Sequence, residues 1–170
     1  MFKGHCFPSS IILHAVYLKL RFTLSYRDIE ELLQMRGVKI DHATIQRWVF
    51  KFSPMIEARF RTRKKNVGGR WRMDETYVKI KGQWMYLYRA VDKNGRTIDF
   101  ILSPRRKKRS AIVEQDHRFI KKRIAPLLGF KSFESARWTL AGIELVRMLQ
   151  KGQLTNPKST VYKSFCSLAA

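Results

Sequence analysis

Apolar residues recur first at helical spacing and then at strand spacing. Ile12, Ala15, Val16, Leu18 and Leu20 predict a helix running to about Phe22, with Ser9-Ser10 available to cap it. Ser25 followed by Asp28 is a capping-box arrangement that opens a second helix, carrying Ile29, Leu32 and Leu33 and closed by Gly37. Asp41 caps a third, in which Ile45, Trp48, Val49 and Phe52 form one apolar face. From Arg72 to Ser103 the chain turns to β-branched and aromatic residues, broken at Lys81-Gly82 and Asn94-Gly95, which predicts three antiparallel strands joined by tight turns. Both faces of that sheet carry apolar side chains, so both are expected to be covered. Residues 111–124 read as a helix limited by Pro126, and Ser132 caps a last helix to about Lys151, with Gly152 beyond it. After Thr155-Asn156-Pro157 the periodicity ends, and residues 161–170 read equally as a flexible end or a frameshifted extension.

Charge narrows the function. The 170 residues hold 35 Lys and Arg against 13 Asp and Glu, a net charge of +22, which points to a polyanionic partner, nucleic acid before all others. No stretch has the length of a membrane span, and the N-terminus lacks a signal-peptide pattern. Cys6 and Cys166 stand at opposite ends without metal-ligand spacing and read as reduced thiols of a cytoplasmic protein. The basic run from Arg59 to Arg72 reads as a linker, either tracking phosphates or simply solvated.

Helix, glycine-containing turn, helix is the plan of a helix-turn-helix DNA reader. The third helix would present His42, Thr44, Gln46 and Arg47, with Lys51 one turn on. Gln and Arg suit purine edges and Thr suits a thymine methyl. A three-helix bundle with no nucleic-acid role shows the same amphipathicity, and His42 alone reads as a surface residue. The net charge favours the DNA reading.

A carboxylate, Asp74, sits inside the first strand, where it is costly unless something pairs it or uses it. The segments Met-Asp-Glu-Thr-Tyr-Val-Lys (73–79), Tyr-Arg-Ala-Val-Asp-Lys-Asn-Gly-Arg-Thr-Ile-Asp-Phe (88–100), Glu-Gln-Asp-His (114–117) with Lys121, and Leu-Gly-Phe-Lys-Ser-Phe (128–133) resemble the insertion-sequence-six family of bacterial transposases over roughly residues 2–153.

The resemblance implies a ribonuclease-H-like domain whose two aspartates and one glutamate hold two Mg²⁺ ions for phosphodiester cleavage and strand transfer. Asp74 matches the first aspartate, Glu114 the glutamate, and Lys121 a basic residue near the substrate DNA. The family's second aspartate lies on a fourth strand, reached by a helical crossover. About ten residues separate the third strand from Glu114 here, too few for a crossover and another strand. The expected break lies near residues 109–112. Counting back from the two turns puts Asp92 opposite Trp71, and Asp99 opposite Ala90 and so Met73. Both fall on the face away from Asp74, and neither replaces the missing ligand. Glu75 points opposite Asp74, and Asp116 lies on another face of its helix from Glu114.

The expected fold is therefore α+β, a helix-turn-helix bundle followed by an incomplete ribonuclease-H-like domain. The expected organisation is residues 1–58 for DNA binding, 59–71 as linker, 72–153 as the truncated DDE catalytic domain and 154–170 as tail. The expected function is transposition by descent, with DNA at the element's inverted-repeat ends as partner and catalysis defective. A non-catalytic remnant that occupies element ends or inhibits an intact transposase is the alternative. Losing the fourth strand would bare the first as a sheet edge and favour oligomerisation, as a homo-oligomer or with intact transposase. The place of action would be the cytoplasm, at the nucleoid.

Overall fold

A computed structural model describes residues 2–67, 70–105 and 129–169, which form an α+β arrangement in two compact units, residues 1–64 with 138–170 and residues 65–137. Glu114, Asp116 and Lys121 lie outside the described residues.

The first unit is helical. Helix α1 (Ser9–Arg21) starts from Pro8, whose carbonyl accepts from the Ile11 and Ile12 amides, so Ser9 and Ser10 lie inside its first turn rather than capping it. Helix α2 (Tyr26–Gln34) opens on the expected capping box, Ser25 Oγ accepting from the Asp28 amide at 3.0 Å and Asp28 Oδ2 from the Ser25 amide at 2.6 Å. Helix α3 (His42–Thr62) is capped by Asp41 and continues through Pro54. It takes in Arg59 and Arg61, which the charge pattern assigns to the linker, because Ile56 and Phe60 extend the buried row of Ile45, Val49 and Phe52. Each such side chain contributes about 1.5–3 kcal/mol of transfer free energy, enough to hold the helix together across the proline.

Helix α4 (Phe133–Gln150) is capped by Ser132, whose Oγ accepts from the Ser135 amide at 3.1 Å. From Trp138 onward it belongs to the helical unit, not the sheet: Trp138 meets Phe50 at 5.7 Å between ring centroids, and Tyr26 hydrogen-bonds to Thr139. Gly142 lies against Leu20 so closely that a Cβ there would come within 2.5 Å of Leu20 Cδ2. The tail is a helix, α5 (Val161–Ser167), capped by Thr160. It is packed, with Phe165 fully buried against Tyr17 at 5.3 Å and Arg59 Nη1 donating to the Leu168 carbonyl at 3.1 Å. Lys64 pairs with Leu154, and Thr155 donates its amide to the Arg63 carbonyl. Cys6 and Cys166 form no disulfide.

The second unit is built on an antiparallel sheet in the order β1 (Trp71–Ile80), β2 (Gln83–Asp92), β3 (Thr97–Ser103). Ile80 pairs with Gln83 across the two-residue turn Lys81-Gly82, both with positive φ, 49° and 79°, as a turn matched to strand twist requires. The second hairpin differs from the two-residue turn expected at Asn94-Gly95. The Asp92 amide donates to the Arg96 carbonyl around a three-residue loop, closed by Gly95 at φ 71°. A bulge beside Ile98 restores the register, so Asp99 still pairs with Ala90. The edge of β1 is not bare at its Ile80 end. There the Phe130 amide donates to the Lys79 carbonyl at 2.9 Å, and Lys81 donates back to Phe130 at 2.8 Å, a parallel bridge where a fourth strand would pair. Of the sheet's faces, one buries Thr76, Val78, Ile80, Leu87 and Val91. The other buries Tyr88 and Asp92 but leaves Tyr77 and Trp84 exposed, so it is covered only in part, against the expectation that both faces are covered.

Candidate functional site

Asp74 lies on the buried face of β1, in line with Thr76, Val78 and Ile80. Directly across the ladder stands Arg89 of β2, its Nη1 3.8 Å from Asp74 Oδ2, with both side chains only 1% exposed. Arg89 Nη2 also donates to Thr97 Oγ1 of β3 at 3.2 Å, so a polar row crosses all three strands. Arg89 is absent from the candidates that the sequence motifs single out. The turn count that sets Asp92 opposite Trp71 also sets Arg89 opposite Asp74, so the signal is present in the spacing.

The other strand acids stand where the register puts them. Asp92 faces Trp71 and is buried; its Oδ1 accepts from the Asn94 and Arg96 amides at 2.9 and 2.8 Å, holding the hairpin loop. Asp99 is exposed opposite Ala90, its Oδ1 accepting from the Phe100 amide. Neither shares the face of Asp74.

These residues test the fit of Mg²⁺. The ion prefers several oxygen ligands, carboxylates and water. Among the described residues no three His, Cys, Asp or Glu side chains gather to hold a metal. The one described carboxylate of the expected set faces a guanidinium. The described residues alone do not make a Mg²⁺ site, and the remaining expected ligand, Glu114, lies outside them.

A second candidate site is the N-terminal half of α3. His42, Gln46, Arg47 and Lys51 are exposed and Thr44 half-buried. His42 is fastened to α2: Glu30 Oε2 accepts its backbone amide at 3.1 Å and lies 2.9 Å from its Nδ1. Thr44 Oγ1 donates to Asp41 Oδ2 at 2.7 Å and accepts from Arg47 Nη2 at 3.1 Å, while Arg47 Nε reaches the Ala43 carbonyl at 3.3 Å. Lys51 Nζ lies 3.0 Å from His5 Nε2. The Thr44 hydroxyl bond, then the backbone amides, hold the Asp41 carboxyl below the ordinary carboxylate value. The helix start thus ties His42 and Thr44 to neighbouring carboxylates, with Gln46 and Arg47 on its exposed side. No helix among the described residues is long and apolar enough to cross a membrane.

Known proteins resemble the chain along most of its length. A family model described as a DDE domain matches residues 68–113 and 107–153. Two transposases of Staphylococcus aureus, one for the insertion sequence-like element IS431mec and one for the insertion sequence element IS257 in transposon Tn4003, are each 33% identical over 201 aligned positions, covering 88% of this chain and 88% of the relative. An uncharacterized protein of Yersinia pseudotuberculosis, pYV0051, is 51% identical over 41 residues, 24% of this chain and 38% of its own. Since 88% of 170 residues is about 150, roughly 50 of the 201 aligned positions hold no residue of this chain. No solved structure matches it.

Proposed function

The chain belongs to the insertion-sequence-six family of transposases, and from that premise we propose that it binds the inverted-repeat ends of its element but does not cut or join them. One observation carries this reading. The DDE domain matches in two pieces that meet at residues 107–113, directly before Glu114, and the S. aureus alignments run roughly 50 positions longer than the residues this chain contributes. That supports an internal loss of the crossover and fourth strand, with the second aspartate. DDE transposases generally use a divalent metal, typically Mg²⁺. When bound, such a metal supplies activation of the attacking oxygen and stabilisation of the leaving one. Asp74 and Glu114 would be the ligands that remain in this chain, and Lys121 would lie near the DNA.

The helix pair α2–α3 supports DNA recognition of the helix-turn-helix kind. Gln46 and Arg47 would enter the major groove and Lys51 would meet a phosphate, while His42 and Thr44, tied to Glu30 and Asp41, would set the angle of entry. In a cell the protein would act on DNA in the cytoplasm, competing for element ends with an intact relative or joining it in a mixed oligomer.

Purified full-length protein tests this with labelled element ends and scrambled duplex, in Mg²⁺ and in Mn²⁺. The expected outcome is preferential binding of the ends with no cleavage or strand transfer. Robust cleavage abolished by Asp74→Ala would overturn the catalytic part. Equal affinity for ends and scrambled duplex would overturn the recognition part.

A further inference from the structure

We propose that the sheet face opposite Asp74 binds single-stranded DNA by stacking its bases on Tyr77, Trp84 and Tyr86. The pleat sends Asp74, Thr76 and Val78 to one side and Tyr77 and Lys79 to the other. On β2, Tyr86 stands directly across from Tyr77, and Trp84 directly across from Lys79. Two neighbouring cross-strand pairs therefore put three rings and one cation on one surface. Tyr77 and Tyr86 meet edge to face at 5.5 Å between centroids, and Tyr86 continues to Tyr88 at 6.3 Å with the rings nearly parallel. Lys79 Nζ lies 5.9 Å from the Trp84 ring centroid.

Exposure makes this row unusual. Trp84 is 61% exposed and Tyr77 46%, Tyr86 is half-buried beside them, and the row ends on the buried Tyr88. Contiguous exposed aromatic surface marks an interaction site. The surrounding charge says with what. Lys79, Lys81 in the turn and Lys131 beside the Phe130 bridge are all exposed at this end of the sheet, in a chain of net charge +22. Of the acids on the same face, Glu75 stands two residues from Tyr77 and across from Tyr88, while Asp92 and Asp99 sit toward the other end of the strands, Asp92 bonded within its own hairpin loop. A second copy of the chain would bring like charges together and desolvate Lys79. A polyanion does neither.

The geometry then selects a single strand over a duplex. Bases within a duplex are covered by their neighbours and offer no face to a ring. Alternate residues on β2 are about 6.8 Å apart, twice the step of roughly 3.4 Å along one strand of duplex DNA, so Trp84 and Tyr86 suit bases that have come unstacked. Aromatic platforms with flanking cations hold single strands in this way, with little regard for sequence. The choice of DNA over RNA rests on the transposase reading; the site itself does not.

The test uses the full chain and fluorescence anisotropy with labelled oligo(dT), oligo(U) and duplex element ends. Replacing both Tyr77 and Trp84 by Ala is expected to weaken oligo(dT) binding about ten-fold or more while leaving duplex binding unchanged. Replacing them with Phe is expected to restore most of the affinity. Arg47→Ala is expected to do the reverse, weakening duplex binding and sparing oligo(dT), so failure of element-end recognition is read separately. Circular dichroism confirms that each variant is folded. Unchanged oligo(dT) affinity in the double alanine variant would overturn the proposal. So would tighter binding of oligo(U), or an alanine variant whose only change is from dimer to monomer in sedimentation.

Discussion

Arg89 faces Asp74 across the β1–β2 ladder at 3.8 Å, a cation and an anion both withdrawn from water in the middle of a sheet. Desolvating two such charges costs several kcal/mol each, and the mutual attraction repays it only while both remain. Arg89→Met removes the cation that faces the buried carboxylate, and is expected to destabilise the protein by about 3–5 kcal/mol in urea unfolding. Combining it with Asp74→Asn removes the buried negative charge as well and should recover a substantial part of that loss. A double variant no more stable than Arg89→Met alone would show that the pair is not coupled.

Helix α4 approaches α1 through a missing side chain. A methyl group at Gly142 would come within 2.5 Å of Leu20 Cδ2 and 2.7 Å of Leu20 Cδ1, and Leu20 is itself fully buried. Alanine has the better helix propensity by about 1 kcal/mol, but overpacking a filled core costs typically about 1–3 kcal/mol. Gly142→Ala is therefore expected to be neutral to destabilising by about 2 kcal/mol. Adding Leu20→Ala should make the same glycine substitution stabilising. Unfolding midpoints of the four proteins decide it: a Gly142→Ala effect of the same size in both backgrounds would rule out this packing as its cause.

Local chemistry is legible in the sequence where one turn or cap decides the geometry. Lys81-Gly82 fixes the β1–β2 register, and with it the faces of Asp74 and Asp92; Ser25 with Asp28, and Asp41, cap the helices expected of them. Non-local packing is not legible. Pro54 and the arginines after it look like the end of a helix, yet Ile56 and Phe60 carry α3 onward because other elements cover them. The tail has too short a periodic run to announce α5, whose stability comes from Tyr17 and Arg59, far away in the chain. In the second hairpin two departures cancel: a three-residue loop and a bulge beside Ile98 together return Asp99 to the partner that a two-residue turn would give it.

The capping carboxylates make the helix starts acid-sensitive. Asp41 is held below its ordinary value of 3.8 chiefly by the Thr44 hydroxyl and amide, and Asp28 below the same value by the backbone and side chain of Ser25. A depressed native value means that the ionised form stabilises the fold. That contribution is complete above the ordinary carboxyl value and is lost as the pH falls through the lower native one. The amide resonances of Ala43 and Thr44 should therefore titrate with a midpoint below 3.8. Asp41→Asn, which keeps a capping oxygen without the charge, should abolish that titration. A midpoint at or above the ordinary carboxyl value would contradict the assignment.

Arg47 gives the sharpest test of the α3 surface, because its guanidinium is already arranged by neighbours on the same helix. The Thr44 hydroxyl and Ala43 carbonyl both accept from it, so little side-chain freedom remains to be lost on binding. If it reads a base edge, Arg47→Ala weakens binding to element ends by about 1–3 kcal/mol and relaxes preference at one base pair. Lys51, a turn further along the helix, has a different expected signature. Lys51→Ala takes one cation away from a phosphate, so it weakens ends and scrambled duplex alike and lowers the salt-dependence slope by about one counterion. Thr44→Val adds a third distinction, since it removes the hydroxyl that holds Arg47 without touching the charge. Its expected effect is a smaller loss of affinity in the same direction as Arg47→Ala, with the salt slope unchanged. Titrations of both duplexes across a salt series separate these outcomes. An Arg47→Ala loss equal on both duplexes would place the arginine on the phosphate backbone and leave base reading to Gln46.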